Sequence, residues 1–203
     1  MDKPFNQACE NNKHAIADAL EDYLREQQMV LEIGTGTAQH AVYFGERFPS
    51  IYWQTSDLVT NHPGIMAWLN EVQLPNVLAP ISVDIAAEHW TFDAQPSPSY
   101  DAIYLANVIH IIDAQLVSQL FSHLGRTLSE GGLVIMYGPF NYDGRFTSEG
   151  NRRLDEWLKS LQPSYGIRDF ETVDQLARQN NLSMLDDRTM PANNRLLVWR
   201  RLP

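Results

Sequence analysis

MVLEIGTGTA, residues 29–38, combines a short apolar run with two glycines one residue apart. The first five residues, interrupted only by Glu32, are typical of a buried strand, and Gly34 and Gly36 follow it. Residues 39–48 then have apolar positions at helical spacing. A strand that turns sharply into a helix creates a crevice at the carboxyl end of a sheet, and glycine lets the backbone approach a ligand closely there.

Three interpretations of this glycine loop are open. The dinucleotide fingerprint GxGxxG/A requires a small residue three places after the second glycine, but the large polar Gln39 stands there and the small Ala38 comes one place early. Glu32, Gly34 and Gly36 instead fit the E/DxGxG pattern of class I S-adenosylmethionine (SAM) methyltransferases. A third glycine usually falls at the Ala38 position in that pattern. We therefore favour SAM over NAD, and a tight turn that binds no ligand is the third interpretation.

The composition of the 203 residues predicts a single globular domain spanning 1–203. Hydrophobic residues make up 44% and charged residues 20%, which is ordinary for a globular protein with a sizeable core. The formal net charge of −10 argues against sequence-independent binding to nucleic acid, because such binding neutralises phosphates with Lys and Arg. We expect a small-molecule partner and no nucleic acid.

Cysteine usage and hydropathy predict a cytoplasmic protein without a membrane anchor. Cys9 is the single cysteine, so it cannot form an internal disulfide, and this suits a reducing compartment. Residues 1–7 lack the apolar core of a secretory signal. The longest apolar stretch, residues 102–112, is too short to span a bilayer. No zinc-type spacing of Cys and His is present, and we predict no metal site.

Strand-like and helix-like segments alternate along the chain, which predicts a parallel sheet with helices on both faces. The predicted strands are 29–33, 51–56, 77–83, 102–106 and 132–137, with helices at 12–26, 39–48, 64–71 and 116–128. The last of these helices is expected to stop at the glycines 131–132. The remaining segments are a polar loop at 139–150, helices at 151–161 and 172–180, and strands at 182–187 and 195–200. We expect the final two strands to form an antiparallel pair.

Two acidic residues are expected at the carboxyl ends of the second and third strands. Asp57 comes about 21 residues after Gly36, near the spacing at which an acidic residue binds ribose hydroxyls, and a carboxylate can accept both hydroxyls at once. Asp84 can accept the exocyclic amine of adenine while Ile85 packs on the ring. Helix capping by Asp57, and a capping or surface-turn role for Asp84, are the alternatives.

The fourth predicted strand is followed by Asn107 and His110, which we predict to be catalytic. The Asn107 side chain can hold the amine of the donor or orient a methyl acceptor, and His110 can remove a proton near neutral pH. His110 lies among apolar residues, so a buried structural histidine is the alternative. Glu10 and Asp155 are further candidates for a general base.

Several segments together resemble class I SAM-dependent methyltransferases, and more closely the methyltransferase-like protein 26 family. They are LEIGTGT at 31–37 with QHA at 39–41, NVIHI at 107–111, YGPF at 137–140, TS at 147–148 with Asn151 and Asp155, GIRD at 166–169, and MPANN at 190–194. The resemblance implies a Rossmann-like α/β fold with a mostly parallel seven-stranded sheet and an antiparallel C-terminal strand. Two departures are Ala38 in place of a glycine, and Asn11 where the family typically has arginine.

From these residues and this resemblance we predict the site. The cofactor-binding residues are Glu32, Gly34, Thr35, Gly36, Asp57, Leu58, Asp84, Ile85 and Asn107. The substrate-binding residues are Glu10, Tyr137, Arg168 and Asn193. Four more residues are expected to join Arg168 and Asn193 in an acceptor pocket, its lid or a structural network, namely Thr147, Asn151, Asp169 and Asn194.

The predicted function is methyl transfer from SAM to a small-molecule acceptor, with S-adenosylhomocysteine as the second product. Two other classes of protein are open. A SAM-binding adaptor without turnover would keep the cofactor crevice and lack an acceptor pocket, whereas an NAD(P)-dependent oxidoreductase would bind a dinucleotide. The sequence leaves the acceptor and the oligomeric state open.

Overall fold

The computed structural model of the chain describes residues 3–25, 28–90 and 100–203. Its helices are α1 Gln7–Leu20, α2 Gln39–Arg47, α3 His62–Val72, α4 Ala114–Thr127, α5 Glu149–Leu161 and α6 Phe170–Gln179, with short 3₁₀ turns at Val59–Asn61 and Pro191–Asn193. Its strands are β1 Met29–Ile33, β2 Tyr52–Asp57, β3 Val77–Ser82, β4 Tyr100–Ala106, β5 Leu128–Gly138, β6 Phe140–Asn141, β7 Arg168–Asp169, β8 Leu182–Met190 and β9 Asn194–Arg201. Within these ranges, no helix has the length and apolar character that crossing a membrane requires.

Seven strands form one sheet in the order β3-β2-β1-β4-β5-β9-β8, and β6 with β7 forms a separate two-stranded sheet. β1 is parallel to β2, and β2 is parallel to β3. β9 is antiparallel to both of its neighbours, β5 and β8. The predicted α/β class, with a mostly parallel seven-stranded sheet and an antiparallel C-terminal strand, is therefore confirmed.

The chain divides into two compact units, Met1–Tyr104 and Leu105–Pro203. In the first unit, β1 to β3 pack against α1 to α3 around a cluster of buried aromatic rings. The Phe44 ring centroid lies 5.2 Å from that of Trp53 and 5.6 Å from that of Tyr104. Buried aromatic side chains contribute large apolar areas to a core, and these fix α2 against the strands. The single domain predicted for 1–203 stays a prediction.

The core of the second unit lies between β5, β9 and the helices α4 and α6. Trp199 is fully buried on β9 and meets Phe121 of α4 edge to face at 6.0 Å between ring centroids. Its Nε1 donates a hydrogen bond of 3.0 Å to the Asp174 carboxylate on α6. The indole therefore joins both helices to the antiparallel end of the sheet, and its polar atom has the partner that a buried indole needs.

Helix α1 begins five residues before its predicted start at residue 12. Asn6 is the reason, because its side-chain oxygen accepts the backbone N–H of Ala8 at 2.9 Å and caps the helix. The helix ends at Leu20 rather than continuing to residue 26. The predicted end, Glu26, lies outside the described residues.

Several predicted boundaries in the second unit are also wrong. Helix α4 ends at Thr127, and Leu128 is already extended at the start of β5, so the glycines 131–132 lie inside the strand rather than stopping the helix. The predicted loop at 139–150 contains β6, which pairs in parallel with β7. Helix α5 begins at Glu149 because the Ser148 hydroxyl accepts the backbone N–H of Asn151 at 3.0 Å.

Candidate functional site

The glycine loop of the first unit connects β1 to α2. Gly34 and Gly36 have φ angles of 70° and 60°, a left-handed conformation that glycine adopts without strain. Ala38 is also left-handed, with φ of 64°, and precedes α2 without a side-chain cap. A left-handed alanine costs about 1 kcal/mol, which is a physical reason for a glycine to be usual at this place.

Asp57, at the end of β2, holds this loop. Its Oδ2 accepts the backbone N–H of Gly36 at 2.7 Å. Its Oδ1 accepts the backbone N–H of Leu58 at 2.8 Å and Nδ2 of Asn61 at 2.7 Å. A carboxylate offers about four acceptor positions, so these three donors leave about one for a ligand. Binding of two ribose hydroxyls by Asp57 would therefore require Asn61 to give up its bond.

A cleft of about 510 Å³ lies beside the glycine loop within the first unit. The residues that line it are Pro4, Gly36, Thr37, Thr60, Asn61, Pro63 and Gly64. Pro4 is held there because its carbonyl accepts Nε1 of Trp68 at 2.7 Å. Gly64 leaves room for the proline ring, since a Cβ at this position would come within 2.9 Å of it. The cleft volume is within the range of about 300–1,000 Å³ that is typical of small-molecule sites.

Glu32 is buried beneath the loop rather than exposed to the cleft. Its Oε2 accepts Nε1 of Trp53 at 3.0 Å and the hydroxyl of Thr35 at 3.3 Å. The Thr35 hydroxyl also accepts the backbone N–H of Ser56 at 3.0 Å, so it joins Glu32 to β2. Burial, more than the neighbouring negative charge of Asp57, raises the pKa of Glu32 from 4.5 to about 7.

This buried carboxyl predicts that stability falls as the pH rises. The folded protein binds more protons than the unfolded chain between pH 4.5 and 7, so the contribution of Glu32 is greatest below pH 4.5 and is lost by pH 7. A pKa rise of this size corresponds to about 3 kcal/mol. We expect Glu32→Gln to remove most of this dependence, measured as the free energy of unfolding in urea at several pH values.

The matched control for Glu32 is Glu130→Gln, which changes an exposed glutamate on β5. Because Glu32 is intact in this variant, we expect its free energy of unfolding to keep the pH dependence that Glu32 causes. Parallel pH curves for Glu32→Gln and the parent protein would contradict the assignment of a raised pKa to Glu32.

The third strand ends at Ser82, and the predicted ligand residue Asp84 lies two residues beyond it. The chain stays beside β2, since the N–H of Val83 donates to the carbonyl of Asp57 at 3.1 Å. Asp84 is exposed, and its carboxylate accepts the N–H of Ala86 at 2.9 Å. Ile85 next to it is half-buried. Asp57 and Asp84 thus follow the carboxyl ends of the neighbouring strands β2 and β3. The Asp84 carboxylate also stabilises a turn.

Glu10 contacts protein groups on two sides. Its carboxylate accepts Nε2 of Gln39 at 2.7 Å and lies 2.5 Å from Nζ of Lys13. The Oε1 of Gln39 in turn accepts the N–H of Asn6 at 2.6 Å and the hydroxyl of Thr37 at 2.9 Å. Gln39 therefore joins α1 to the glycine loop. In the sequence, Gln39 is an argument against a dinucleotide and part of the QHA segment at 39–41. The available signal for this link was a polar residue where a small one is usual.

In the second unit, the predicted residues Asn107 and His110 lie together at Gly138. A Cβ built on Gly138 would be 3.4 Å from Oδ1 of Asn107 and 3.7 Å from Nδ1 of His110. Asn107 is left-handed, with φ of 59°, and its N–H donates to the carbonyl of Tyr137 at 2.9 Å. Tyr137 itself is buried. Two polar side chains therefore meet at the end of β5, where only a glycine separates them.

Burial determines the charge of His110. Removal from water, and to a lesser degree the positive charge of Arg168, lowers the pKa of His110 from 6.5 to about 4. The imidazole is therefore neutral at physiological pH and can accept a proton without first losing one.

An NMR titration of the His110 ring is expected to give a midpoint near 4. Because its pKa is lowered on folding, the contribution of His110 to stability is complete above pH 6.5 and is lost as the pH falls towards 4. His110→Gln, which cannot titrate, should unfold with a weaker acid dependence in that range. A midpoint near 6.5 for the His110 signals would contradict this assignment.

Arg168 supports the turn that carries His110. Its Nε donates to the carbonyl of Ile109 at 3.0 Å, and its Nη2 donates to the carbonyls of Ile112 at 2.7 Å and Ser164 at 2.9 Å. The carbonyl of His110 accepts the N–H of Gly166 at 3.0 Å. These contacts of the guanidinium are to backbone groups of the protein, so they position the turn.

Asp155 fixes the segment that contains Arg168. This carboxylate is buried, accepts the N–H of Ile167 at 2.8 Å and lies 2.6 Å from Nζ of Lys159. A Cβ at Gly166 would come within 2.7 Å of its Oδ1. These contacts anchor the 166–168 segment, and the general-base role expected for Asp155 stays a prediction.

Asn193 belongs to a different part of the second unit. The buried side chain of Asn151 donates from Nδ2 to the hydroxyl of Thr147 at 2.9 Å and to the carbonyl of Asn193 at 3.3 Å. Asn194 donates from its side chain to the carbonyl of Pro191 at 3.1 Å. Asp169 pairs with Asn141 where β7 meets β6. The Asn151 side chain thus links two other expected pocket residues, Thr147 and Asn193, by hydrogen bonds.

Asn141 was missed by the sequence analysis. It is buried on β6, and its Oδ1 has no hydrogen-bond partner among the described residues. No short motif marks such an acceptor, because its burial depends on the pairing of β6 with β7. In the same described ranges, no group of three or more His, Cys, Asp or Glu is arranged to hold a metal ion.

Comparison with known families gives one match that spans nearly the whole chain. The sequence model of a family described as "Protein of unknown function (DUF938)" matches residues 3–201.

Several solved structures with similar folds are described as methyltransferases. An O-methyltransferase family protein from Burkholderia thailandensis superposes with a TM-score of 0.80 at 16% identity, over 98% of this chain and 58% of that one. An O-methyltransferase family 2 protein from Planctomyces limnophilus, in complex with apigenin, gives 0.82 at 16% identity over 97% and 59%. Human N-acetylserotonin methyltransferase in complex with SAM gives 0.78 at 14% identity over 97% and 53%. The chain thus spans less than two thirds of the length of each of these proteins.

Proposed function

The chain belongs to the DUF938 family, and on that premise we propose that it transfers a methyl group from SAM to a small molecule. As part of this proposal, we assign the chain to the methyltransferase-like protein 26 family, which its sequence segments resemble. The residues that would hold SAM are Glu32, Gly34, Thr35, Gly36, Asp57, Leu58, Asp84, Ile85 and Asn107. Of these, Glu32 is buried and would act through the loop residue Thr35. The residues assigned to the acceptor are Glu10, Asn107, His110, Tyr137, Arg168 and Asn193.

The bond between the Gly36 N–H and the Asp57 carboxylate carries this proposal. A dinucleotide site needs the glycine-loop amides free for pyrophosphate oxygens, but the Gly36 amide is already bonded to an anion. The methyl donor has no phosphate, so it does not need the Gly36 amide that a pyrophosphate would use.

The similar structures support this choice of ligand and acceptor class. One of them was solved with SAM, and another with apigenin, which is a small hydroxyl-bearing molecule. By this analogy of fold we propose a small molecule as the acceptor, and the net charge of −10 agrees with that choice over nucleic acid.

The residues of the chain have separate tasks in the proposed reaction. When bound, SAM would supply an electrophilic methyl group on its sulfur. Transfer of this methyl to an acceptor atom breaks the sulfur–carbon bond and gives S-adenosylhomocysteine. Asn107 orients the acceptor by a hydrogen bond, and its left-handed backbone is held by the Tyr137 carbonyl. His110 is neutral and takes the proton that the acceptor loses. Glu10 acts through Gln39, which it accepts as a hydrogen-bond donor, and Arg168 acts through the turn that carries His110.

Methyl-labelled SAM incubated with the protein and a cell metabolite extract tests the proposal. We expect label to appear in a small-molecule fraction, and we expect Asp57→Ala to abolish the transfer. Label in protein or nucleic acid would contradict the assignment of the acceptor class. Tight binding of SAM without labelled product in any fraction would contradict turnover and favour the adaptor function.

A further inference from the structure

A second cavity, of about 300 Å³, lies within the second unit. The residues that line it are Tyr142, Thr147, Thr189, Asn193, Asn194 and Arg195. We propose that this cavity binds an uncharged, ring-sized molecule that carries hydroxyl or amide groups. Its identification as the methyl acceptor rests on the proposed function, whereas the binding itself does not.

The turn that supplies two of these side chains is strained and held in place. Ala192 and Asn193 are consecutive left-handed residues, with φ of 58° and 57°, and neither is glycine. The Asn151 side chain bonds the Asn193 carbonyl from one side, and the Asn194 side chain bonds Pro191 from the other. Strain of this kind persists where surrounding contacts fix the backbone, and it is frequent at ligand sites. The backbone that carries the Asn193 side chain is therefore held in place.

The charge of the cavity is balanced before any ligand enters. Among the described lining residues, Arg195 is the charged one, and its Nε lies 2.7 Å from the Asp187 carboxylate. Its Nη2 also donates to the Asp187 carbonyl at 2.8 Å. The hydroxyl of Tyr142 donates to the same carboxylate at 2.9 Å. An anion would have to compete with Asp187 for the guanidinium, and a cation would find no unpaired acid in the lining, so an uncharged ligand is favoured.

The remaining groups of the lining indicate what such a ligand offers. Asn193, Asn194, Thr147 and Thr189 present amides and hydroxyls. The Thr147 and Thr189 hydroxyls accept from Asn151 and Arg195 and keep their O–H donors, and Asn194 donates to Pro191 and keeps its side-chain oxygen as an acceptor. The ring of Tyr142 provides an apolar wall and is itself stacked on Phe170 at 5.2 Å between centroids. An apolar wall with a few fixed polar groups is the usual composition of a small-molecule site. Hydroxyl or amide groups on a ring complement both parts.

Three probes of equal size test the charge preference directly. They are neutral 4-hydroxybenzamide, anionic 4-hydroxybenzoate and cationic 4-hydroxybenzamidine, titrated into the 203-residue protein and followed by NMR. We expect the neutral probe to bind at least about tenfold more tightly than either charged probe, with shifts at the Asn193 and Asn194 signals. Equal affinities, shifts confined to other residues, or no binding of any probe would overturn the proposal.

Two substitutions then separate the ligand contact from folding. Asn193→Gly removes the amide while keeping a residue suited to a left-handed turn, and it should weaken binding of 4-hydroxybenzamide at least about fivefold. Asn181→Gly is the matched control, because Asn181 is also left-handed, with φ of 58°, but does not line the cavity, and its affinity should be unchanged. Equal affinities of the two variants would overturn the proposal.

Asp187→Asn releases the charge of Arg195 and should make 4-hydroxybenzoate the preferred probe. Retention of the neutral preference in this variant would overturn the electrostatic argument. A parallel titration of the parent protein with SAM keeps the two proposals apart. Probe binding without SAM binding would leave the cavity assignment intact and contradict the methyltransferase, and SAM binding without probe binding would do the reverse.

Discussion

Asp57→Ala is expected to weaken SAM binding by about 100-fold, which corresponds to about 3 kcal/mol. The substitution removes the acceptor for the backbone N–H groups of Gly36 and Leu58, so the glycine loop and the segment after β2 each lose a charge-assisted hydrogen bond. It also removes the remaining acceptor position that a ribose hydroxyl would use. Isothermal titration calorimetry with SAM measures the loss.

Asp101→Ala is the matched control for Asp57. Its carboxylate also accepts a backbone N–H in the first unit, that of Met29 at 2.8 Å, but at the opposite end of β1 from the glycine loop. The control should lose stability to a comparable degree and keep the SAM affinity of the parent protein. If Asp57→Ala binds SAM as tightly as Asp101→Ala does, then Asp57 does not hold the donor.

Gly166→Ala is expected to lower the free energy of unfolding by about 3 kcal/mol. The new Cβ would lie 2.7 Å from Oδ1 of Asp155 and 3.1 Å from Cε of Lys159, at a φ of 144° that side chains rarely adopt. Asp155 cannot retreat without losing the N–H of Ile167, which it accepts at 2.8 Å. The urea midpoint at constant m-value measures the change.

Gly144→Ala separates this clash from the cost of a positive φ. Gly144 has a φ of 67°, and a Cβ there would meet no atom within 4 Å, so its substitution should cost only about 1 kcal/mol. Similar losses at both positions would mean that Asp155 moves freely, which would contradict its role as the anchor of the 166–168 segment.

Much of the fold could be predicted because its signals are local. The apolar run of β1 has the predicted bounds 29–33, and the glycine loop after it follows from two closely spaced glycines. The alternation of strands and helices predicted the sheet, and the two strand-like runs after residue 181 predicted the antiparallel pair β8 and β9. Periodicity and turn residues carry this information without tertiary contacts.

The parts that could not be predicted depend on groups distant in sequence. The pKa of Glu32 is set by its burial beside Trp53, 21 residues away along the chain. The link between α1 and the loop requires Gln39 to meet Asn6, 33 residues apart. The bond of Arg168 to the carbonyl of Ile109 joins residues that are 59 positions apart. The residue types indicated that these side chains form polar contacts. The fold determines which group each of them contacts.

Isothermal titration of the parent protein with SAM, S-adenosylhomocysteine and NADH is the most direct test of the central claim, which is that the cleft beside Gly36 and Asp57 holds a methyl donor. We predict one-site binding of SAM and of S-adenosylhomocysteine, and no heat of binding with NADH. Binding of NADH with no binding of either sulfur compound would contradict the account.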